Sequence, residues 1–237
     1  MPHHLRPSAP YAPDALLPGD PGRALALAQQ LLVQPKMSNH SRGLWGYTGE
    51  TPDGRSLSVQ STGVGGPSAA IIVAELAELG VRRAIRVGTC GTIDPGLAHG
   101  DLVVAGEALA EDGASRALGA DGLVQPDPSL TAGLAAAAGS RPARIVSTDL
   151  FYGADEVPGA PDSRHDAWRE QGAVAVEMEA ATLFALAPRL GLSCGCLLAV
   201  TDTFDGGRRH RISDEGLEAV VEPLGAAAAA ALTEAQR

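Results

Sequence analysis

Strand-like and helix-like stretches alternate along all 237 residues, and this alternation restricts the fold more than any other feature of the sequence. It is typical of α/β domains, in which helices cover the faces of a central sheet. Neither an internal repeat nor a linker-like stretch divides the chain. We therefore predict a single α/β domain over residues 1–237.

Turn and cap residues predict where the elements begin and end. Asp20 and Pro21 are typical of a helix start, as N-cap and first helical residue, and predict a helix over 22–32. The other predicted elements, in chain order, are a strand end at 15–17, a hairpin joining 44–48 to 56–61, a glycine-rich loop over 62–68 with a helix up to Leu79, strands at 84–87, 102–105, 144–147, 174–176 and 197–200, a helix over 179–190, a polar loop over 202–213 and a C-terminal helix from Asp214 kinked at Pro223.

The charge of the chain restricts its partners. A net charge of −10 argues against nucleic acid or an anionic membrane as the main partner, because both need a basic face. Lys36 is the only lysine, so nearly all positive charge comes from arginine. Arginine binds phosphate oxygens in a planar, bidentate geometry. A small anion bound in a local arginine pocket is therefore compatible with this acidic chain.

Three cysteines, Cys90, Cys194 and Cys196, form no spaced framework, which favours free thiols in a reducing cytoplasm. We interpret Cys194 and Cys196 as buried core residues and not as a metal pair. The first residues contain no apolar signal segment, and the longest apolar run, residues 226–232, is too short to span a bilayer. We expect a cytoplasmic protein without a bound metal.

Three glycine-bearing loops follow predicted strands, at Gly19, at 63–66 and at 88–91. In α/β sheets ligands bind beyond the carboxyl ends of strands, where backbone N–H groups reach an anion. None of these loops has the dinucleotide or Walker spacing. Arg23 and Arg86 stand beside two of them. Arg23 is either a solvated helix residue or an anion ligand, and Arg86 is either an edge charge or an anion ligand.

Carboxylates stand at two predicted strand ends. Glu177 and Glu179 lie where a strand meets a helix, so they either favour the helix macrodipole or accept hydrogen bonds from a sugar diol. Asp202 ends the last apolar strand and is either a cap or turn residue or a buried proton donor. The residues alone leave both pairs of alternatives open.

Six segments occur in the order and spacing of one known family. They are 17–24 (LPGDPGRA), 42–49 (RGLWGYTG), 62–68 (TGVGGPS), 86–91 (RVGTCG), 149–152 (DLFY) and 176–180 (VEMEA). Together they resemble the nucleoside phosphorylase family, in its bacterial purine branch related to uridine phosphorylase, over about residues 4–232. The resemblance implies a central, twisted, mixed β-sheet flanked by helices.

The resemblance also implies a role for each matching residue. Phosphate-binding positions match Gly19, Arg23, Arg42, Arg86 and Thr89, the last being usually Ser in the family. Ribose-binding positions match His4, Met178 and Glu179, with Glu179 on the 2′- and 3′-hydroxyls. Base-binding positions match Cys90, Gly91, Phe151, Val176, Glu177 and Asp202. No cofactor is implied, since inorganic phosphate is the co-substrate.

The family reaction passes through a ribosyl cation, which the attacking phosphate dianion stabilises, and Asp202 would protonate N7 of the leaving purine. Asp202 and Glu179 are therefore the expected catalytic residues. The arginine that usually assists this acid, about a dozen residues later, is replaced by Glu215. Either one of Arg208, Arg209 and Arg211 substitutes for it, or the loop is remodelled.

Assembly is also implied by the resemblance. Arg42 and His4 match residues that reach into a neighbouring subunit's site, which predicts a homo-oligomer, expected to be a hexamer built as a trimer of dimers. An acid at 202 can hydrogen-bond a 6-amino or a 6-oxo purine, depending on its protonation, so we expect broad acceptance of purine nucleosides.

Three alternative functions remain. Uridine phosphorylase would need a Gln-x-Arg pair after Phe-Tyr, where this chain has Gly-Ala-Asp-Glu at 153–156. A methylthioadenosine-type nucleosidase or phosphorylase is the second alternative. The nucleosidase would use water and would not need three phosphate-binding arginines. A silent nucleoside-binding module, the third alternative, would not need both Glu179 and Asp202.

Overall fold

A computed structural model describes residues 2–154, 156–158, 164–205 and 208–234. The strands are β1 (Asp14–Leu17), β2 (Val33–Asn39), β3 (Gly46–Glu50), β4 (Ser56–Gln60), β5 (Arg83–Thr92), β6 (Leu102–Glu111), β7 (Leu123–Val124), β8 (Ala143–Thr148), β9 (Ala173–Glu177), β10 (Ser193–Asp205) and β11 (Arg208–Arg211). The helices are α1 (Pro21–Leu31), α2 (Gly66–Glu78), α3 (Gly113–Ala117), α4 (Pro128–Ala138), α5 (His165–Glu170), α6 (Ala180–Leu186), α7 (Asp214–Ala219) and α8 (Val221–Glu234).

All described strands belong to one mixed sheet, in the order β11-β10-β6-β8-β9-β5-β1-β4-β3-β2, with β7 paired to β6. Strand β10 pairs with β5 in parallel and with β6 in antiparallel orientation. Because β5 also pairs with β9, five strands close into a ring: β5, β10, β6, β8 and β9. The α/β fold with a mixed sheet, as the sequence predicts, is confirmed.

Helices bury apolar side chains on both faces of the sheet. On one face α2 and α6 contribute Ile72, Leu76 and Leu183 to the core. On the other face α1, α4 and α8 contribute Leu27, Leu134, Leu224 and their neighbours. The sheet is thus the middle of three layers, and Ala, Val, Leu and Ile supply most of the core.

The helix start at α1 forms as the sequence predicts. The Asp20 side chain accepts a hydrogen bond from the Arg23 backbone N–H at 2.7 Å, and Pro21 is the first helical residue. This geometry holds the loop before α1 in place, since the capping carboxylate satisfies an N–H group that the helix itself cannot.

The prediction of a polar loop over 202–213 is wrong. Strand β10 continues to Asp205, and β11 returns antiparallel to it. An arginine-rich edge strand has no apolar alternation, so periodicity does not reveal it. The break predicted at Pro223 lies instead at Val220, between α7 and α8, because proline fits the first turn of a helix.

By length and hydropathy alone, the stretch Asp214–Thr233 meets the criteria for a helix that crosses a membrane. In the fold 44% of that window is buried, and Leu224, Ala228 and Ala231 pack into the core. Core helices of soluble proteins meet the same criteria, and we interpret this stretch as one of them.

Candidate active site

A cavity of about 810 Å³ collects residues that follow β1 and β4, residues from the second half of β5, and the ends of β8, β9 and β10. Its lining includes these predicted site residues: Gly19, Arg23, Arg86, Thr89, Cys90, Gly91, Phe151, Val176, Met178, Glu177, Glu179 and Asp202. The fold thus brings into one cavity predicted site residues that are up to 183 positions apart in the sequence, from Gly19 to Asp202.

Two loops form the cationic end of the cavity. Backbone hydrogen bonds join them, from Thr62 N–H to Pro18 at 2.9 Å and from Gly63 N–H to Gly19 at 3.0 Å. Burial, followed by the positive charge of Arg86, lowers the pKa of Arg23. Two guanidinium groups close enough to perturb each other make a local positive field, and an anion bound between them would relieve their repulsion.

Arg86 is a buried, ion-paired side chain of β5 and not an edge charge. Its Nε lies 2.8 Å from Oε2 of Glu177, and its Nη2 lies 2.5 Å from Oε2 of Glu179. Burial acts to lower the pKa of Arg86, but the charges of Glu179 and Glu177 raise it overall. At Gly88 a Cβ would stand 2.8 Å from this guanidinium, so glycine leaves the room that the side chain needs.

The two carboxylates at the start of α6, Glu177 and Glu179, have different hydrogen-bond partners. Glu177 accepts hydrogen bonds from the N–H groups of Glu179 and Ala180, each at 3.0 Å, and from the Ser147 hydroxyl. It therefore caps the helix start. Glu179 makes no capping bond, and its Oε1 accepts from the Gly65 N–H at 2.5 Å. Burial raises its pKa, against the nearby charge of Arg86.

Asp202 lies inside β10 at a register shift, opposite Gly91 of β5 and Arg211 of β11. It is 5% exposed, and its Oδ2 accepts a hydrogen bond from the Thr201 hydroxyl at 2.8 Å. Oδ1 is buried and has no hydrogen-bond partner within the described parts of the chain. The cap interpretation of Asp202 is wrong, because Ser213 caps the next helix. Asp202 thus lines the cavity and keeps one buried oxygen without a partner in the described residues.

Aromatic rings surround the far end of the cavity. Phe204, His165 and Trp168 line it together with Phe151, and the His165 ring stacks on Phe204 with centroids 4.2 Å apart. Burial, followed by the charges of Arg209 and Arg169, lowers the pKa of His165. The sequence motifs do not predict a site role for Phe204, His165 or Trp168. The only signal for them in the sequence is that aromatic residues are rare in this chain, and two of its three phenylalanines line this cavity.

Comparison with known proteins identifies the family. A sequence profile described as the phosphorylase superfamily matches residues 13–237. The chain belongs to the phosphorylase superfamily. This confirms the family that the six sequence segments indicate.

Similar members of the superfamily carry purine-related names. The chain is 38% identical to a DeoD-type purine nucleoside phosphorylase of Caldanaerobacter subterraneus subsp. tengcongensis, over 83% of this chain and 85% of the relative. It is 36% identical to a DeoD-type purine nucleoside phosphorylase of Clostridium beijerinckii, over 86% and 87%. It is 35% identical to a guanosine phosphorylase of Halorubrum lacusprofundi, over 88% and 86%.

Two predicted site residues of this superfamily member lie outside its own cavity lining. Arg42 is exposed, in a 3-10 turn with φ 58° and ψ 19°, a conformation that costs a non-glycine residue about 1–2 kcal/mol. The His4 ring Nδ1 lies 2.8 Å from Oε1 of Glu75 on α2. Their action in a neighbouring subunit stays a prediction.

In the described part of the chain, no group of three or more His, Cys, Asp or Glu side chains is placed to hold a metal ion. The three cysteines are free and buried, and burial raises the pKa of Cys194 to about 12. The cavity therefore offers arginines, carboxylates, backbone N–H groups and aromatic rings.

Proposed function

We propose that this superfamily member is a purine nucleoside phosphorylase, which uses inorganic phosphate to cleave purine ribonucleosides and deoxyribonucleosides reversibly into free base and pentose 1-phosphate. The observation that carries the proposal is the Arg86–Glu179 ion pair, with Arg23 and Asp202 lining the same cavity. This reaction needs three kinds of group: a cation that binds the phosphate, an acceptor for the sugar hydroxyls and a buried acid. The names of similar proteins support the same assignment.

Phosphate would bind at the cationic end of the cavity. The guanidinium groups of Arg23 and Arg86 supply bidentate donors, and Gly19 and Thr89 supply further N–H or hydroxyl groups. The bound dianion attacks C1′ and also stabilises the positive charge that develops on the sugar. The scheme uses no metal, and the guanidinium groups of Arg23 and Arg86 offset part of the phosphate charge.

The sugar would bind next to the phosphate, and the base beyond the sugar. Glu179 accepts hydrogen bonds from the 2′- and 3′-hydroxyls, and Met178 packs on the ribose. The base would lie among Cys90, Gly91 and Phe151, with Val176 and Glu177 completing the lining. Because Glu177 already binds Arg86 and the α6 N–H groups, its role toward the base is to shape the pocket.

The bond changes balance without a redox partner. The C1′–N9 electron pair leaves with the purine, N7 takes the proton of a neutral Asp202, and a phosphate oxygen bonds to C1′. General acid catalysis of this kind contributes about 10²–10⁴-fold in rate. Arg211 is the proposed helper, because its Cα stands opposite Asp202 across the β10–β11 pair and facing residues share one side of a sheet.

The remaining expectations belong to the proposal as well. We infer a single domain, a cytoplasmic location and a homo-hexamer in which Arg42 and His4 complete a neighbouring site. Exposure of Arg42, away from the cavity of its own chain, supports this arrangement.

Base release from adenosine, inosine, guanosine and uridine, each with and without phosphate, tests the proposal. We expect release from purine nucleosides that depends on phosphate, with formation of pentose 1-phosphate. Equal release without phosphate would indicate a nucleosidase, and release from uridine alone would indicate a uridine phosphorylase. Either result would overturn the proposal.

A further inference from the structure

Arg209 of β11 occupies the aromatic end of the cavity. Its guanidinium carbon lies 3.8 Å from the centroid of the Phe151 ring and 5.6 Å from that of Phe204. Its side chain is 16% exposed. A cation held between aromatic rings is favourable, and the ion pair with Glu156, which also lines the cavity, adds to this stabilisation.

The donors of Arg209 are only partly used. Nη2 donates to the Phe151 carbonyl at 2.5 Å and to Glu156 at 3.0 Å. These bonds fix the plane of the guanidinium group. Its Nε–H is buried and has no hydrogen-bond partner within the described ranges. A buried donor without a partner carries a free-energy cost, which an acceptor on a bound ligand would remove.

Arg209 faces the same side of the sheet as the proposed acid. Arg209 stands opposite Phe204 and Arg211 opposite Asp202, so all four residues lie on one face of the β10–β11 pair. Diagonal neighbours in such a pair have Cα atoms about 7–8 Å apart, which a long side chain spans. Arg209 and Asp202 can therefore address neighbouring atoms of one base.

The chemistry of arginine decides which base suits this end. A guanidinium group donates hydrogen bonds and never accepts them. Guanine and hypoxanthine present two adjacent acceptors, O6 and N7, whereas adenine replaces the O6 acceptor by an amino donor. An adenine amino group would meet the Arg209 donors with no acceptor between them.

We propose that Arg209 determines base specificity, selecting 6-oxopurine nucleosides such as guanosine and inosine over adenosine. This inference rests on the proposed phosphorolysis, and it narrows the broad purine acceptance that the acid at 202 predicts. Arg209 donates to O6 while Asp202 donates to N7. Arg209 also stabilises the negative charge that spreads to O6 as the base leaves.

The test compares kcat/KM for guanosine, inosine, adenosine and unsubstituted purine riboside in three proteins. These are the wild type, Arg209→Met and Arg208→Met. Arg208 is the matched control, because it is exposed on the same strand and does not line the cavity. We expect the wild type to favour the 6-oxopurines by about 5–150-fold. We expect Arg209→Met to bring that ratio near one, and Arg208→Met to preserve it.

A merely structural role of Arg209 would lower all four values together and leave their ratio unchanged, which would overturn the inference. A wild-type preference for adenosine would do the same. If no purine nucleoside is cleaved, the proposed function fails by itself. Calorimetric binding of free guanine and adenine then still tests Arg209, since tighter guanine binding that is lost in Arg209→Met supports the inference and equal binding refutes it.

Discussion

Arg86 and Glu179 form a buried ion pair, with Nη2 of the arginine 2.5 Å from Oε2 of the glutamate and each side chain 6% exposed. The pair therefore joins a residue proposed to bind phosphate to a residue proposed to bind the sugar. A phosphate dianion competes with Glu179 for the same guanidinium group. Phosphate binding is therefore expected to release the Glu179 oxygen toward the ribose diol, which couples the two substrates.

Glu179→Gln should lower kcat/KM for guanosine by about 10²–10⁴-fold, because two charge-assisted hydrogen bonds to the diol are weakened. The measurement is initial-rate phosphorolysis. A 2′,3′-dideoxynucleoside is the control, since it lacks both hydroxyls and should show little difference between variant and wild type. An equal loss on the dideoxy substrate would show that Glu179 does not act through the diol.

Gly65→Ala should impair the site through the backbone. Gly65 has φ 86° and ψ 156°, and its N–H binds Glu179. A side chain in that conformation costs about 1–3 kcal/mol and displaces the N–H group. We expect lower stability with a fall of about 10-fold or more in kcat/KM, as for a lost charge-assisted hydrogen bond. Gly54→Ala is the control, since Gly54 also has positive φ (82°) but lies in the β3–β4 hairpin with nothing within 4 Å of a Cβ. It should lose stability and keep its activity.

Much of this site could be predicted from the sequence because glycine loops and strand-end carboxylates carry local signals. The separate roles of Glu177 and Glu179 could not, since they depend on Ser147 and Gly65, which lie far away in the chain. Strand β11 also escaped prediction, because pairing with β10 and not an apolar pattern holds it in the sheet.

Asp202→Asn should lower kcat for purine nucleosides by about 10²–10⁴-fold while leaving the KM for phosphate nearly unchanged. The amide keeps the shape of the side chain but does not supply the proton. The informative control substrate is 7-methylguanosine, whose base already carries a positive charge and needs no proton at N7. Its rate should change little, and a loss equal to that of guanosine would exclude Asp202 as the acid. Arg211→Met should give a smaller loss of the same pattern.

Glu75→Gln tests how the N-terminal segment is held. Burial acts to raise the pKa of Glu75, but the Leu5 N–H, the His4 ring and further backbone N–H groups lower it to about 2. A lowered folded pKa contributes stability above about pH 4.5 that is lost as pH falls toward 2. We expect the variant to have a Tm lower by about 3–12 °C at pH 7, with the difference shrinking below pH 4. Exposed Glu218 on α7 is the control, and Glu218→Gln should behave as wild type. A pH-independent difference would rule out the ionised carboxylate as the cause.

Mixed oligomers test whether Arg42 acts in a neighbouring site. Arg42→Ala and Asp202→Asn subunits should each be nearly inactive alone. In random co-assembly, a site with an intact Asp202 and an intact Arg42 from the next subunit forms at about one position in four, which restores about a quarter of wild-type activity. Arg23 lines its own cavity, so Arg23→Ala mixed with Asp202→Asn should restore nothing. Recovery in both mixtures, or in neither, would refute the proposed action of Arg42 in a neighbouring site. The two mixtures differ only if Arg42 acts in the neighbouring subunit's site and Arg23 acts in its own.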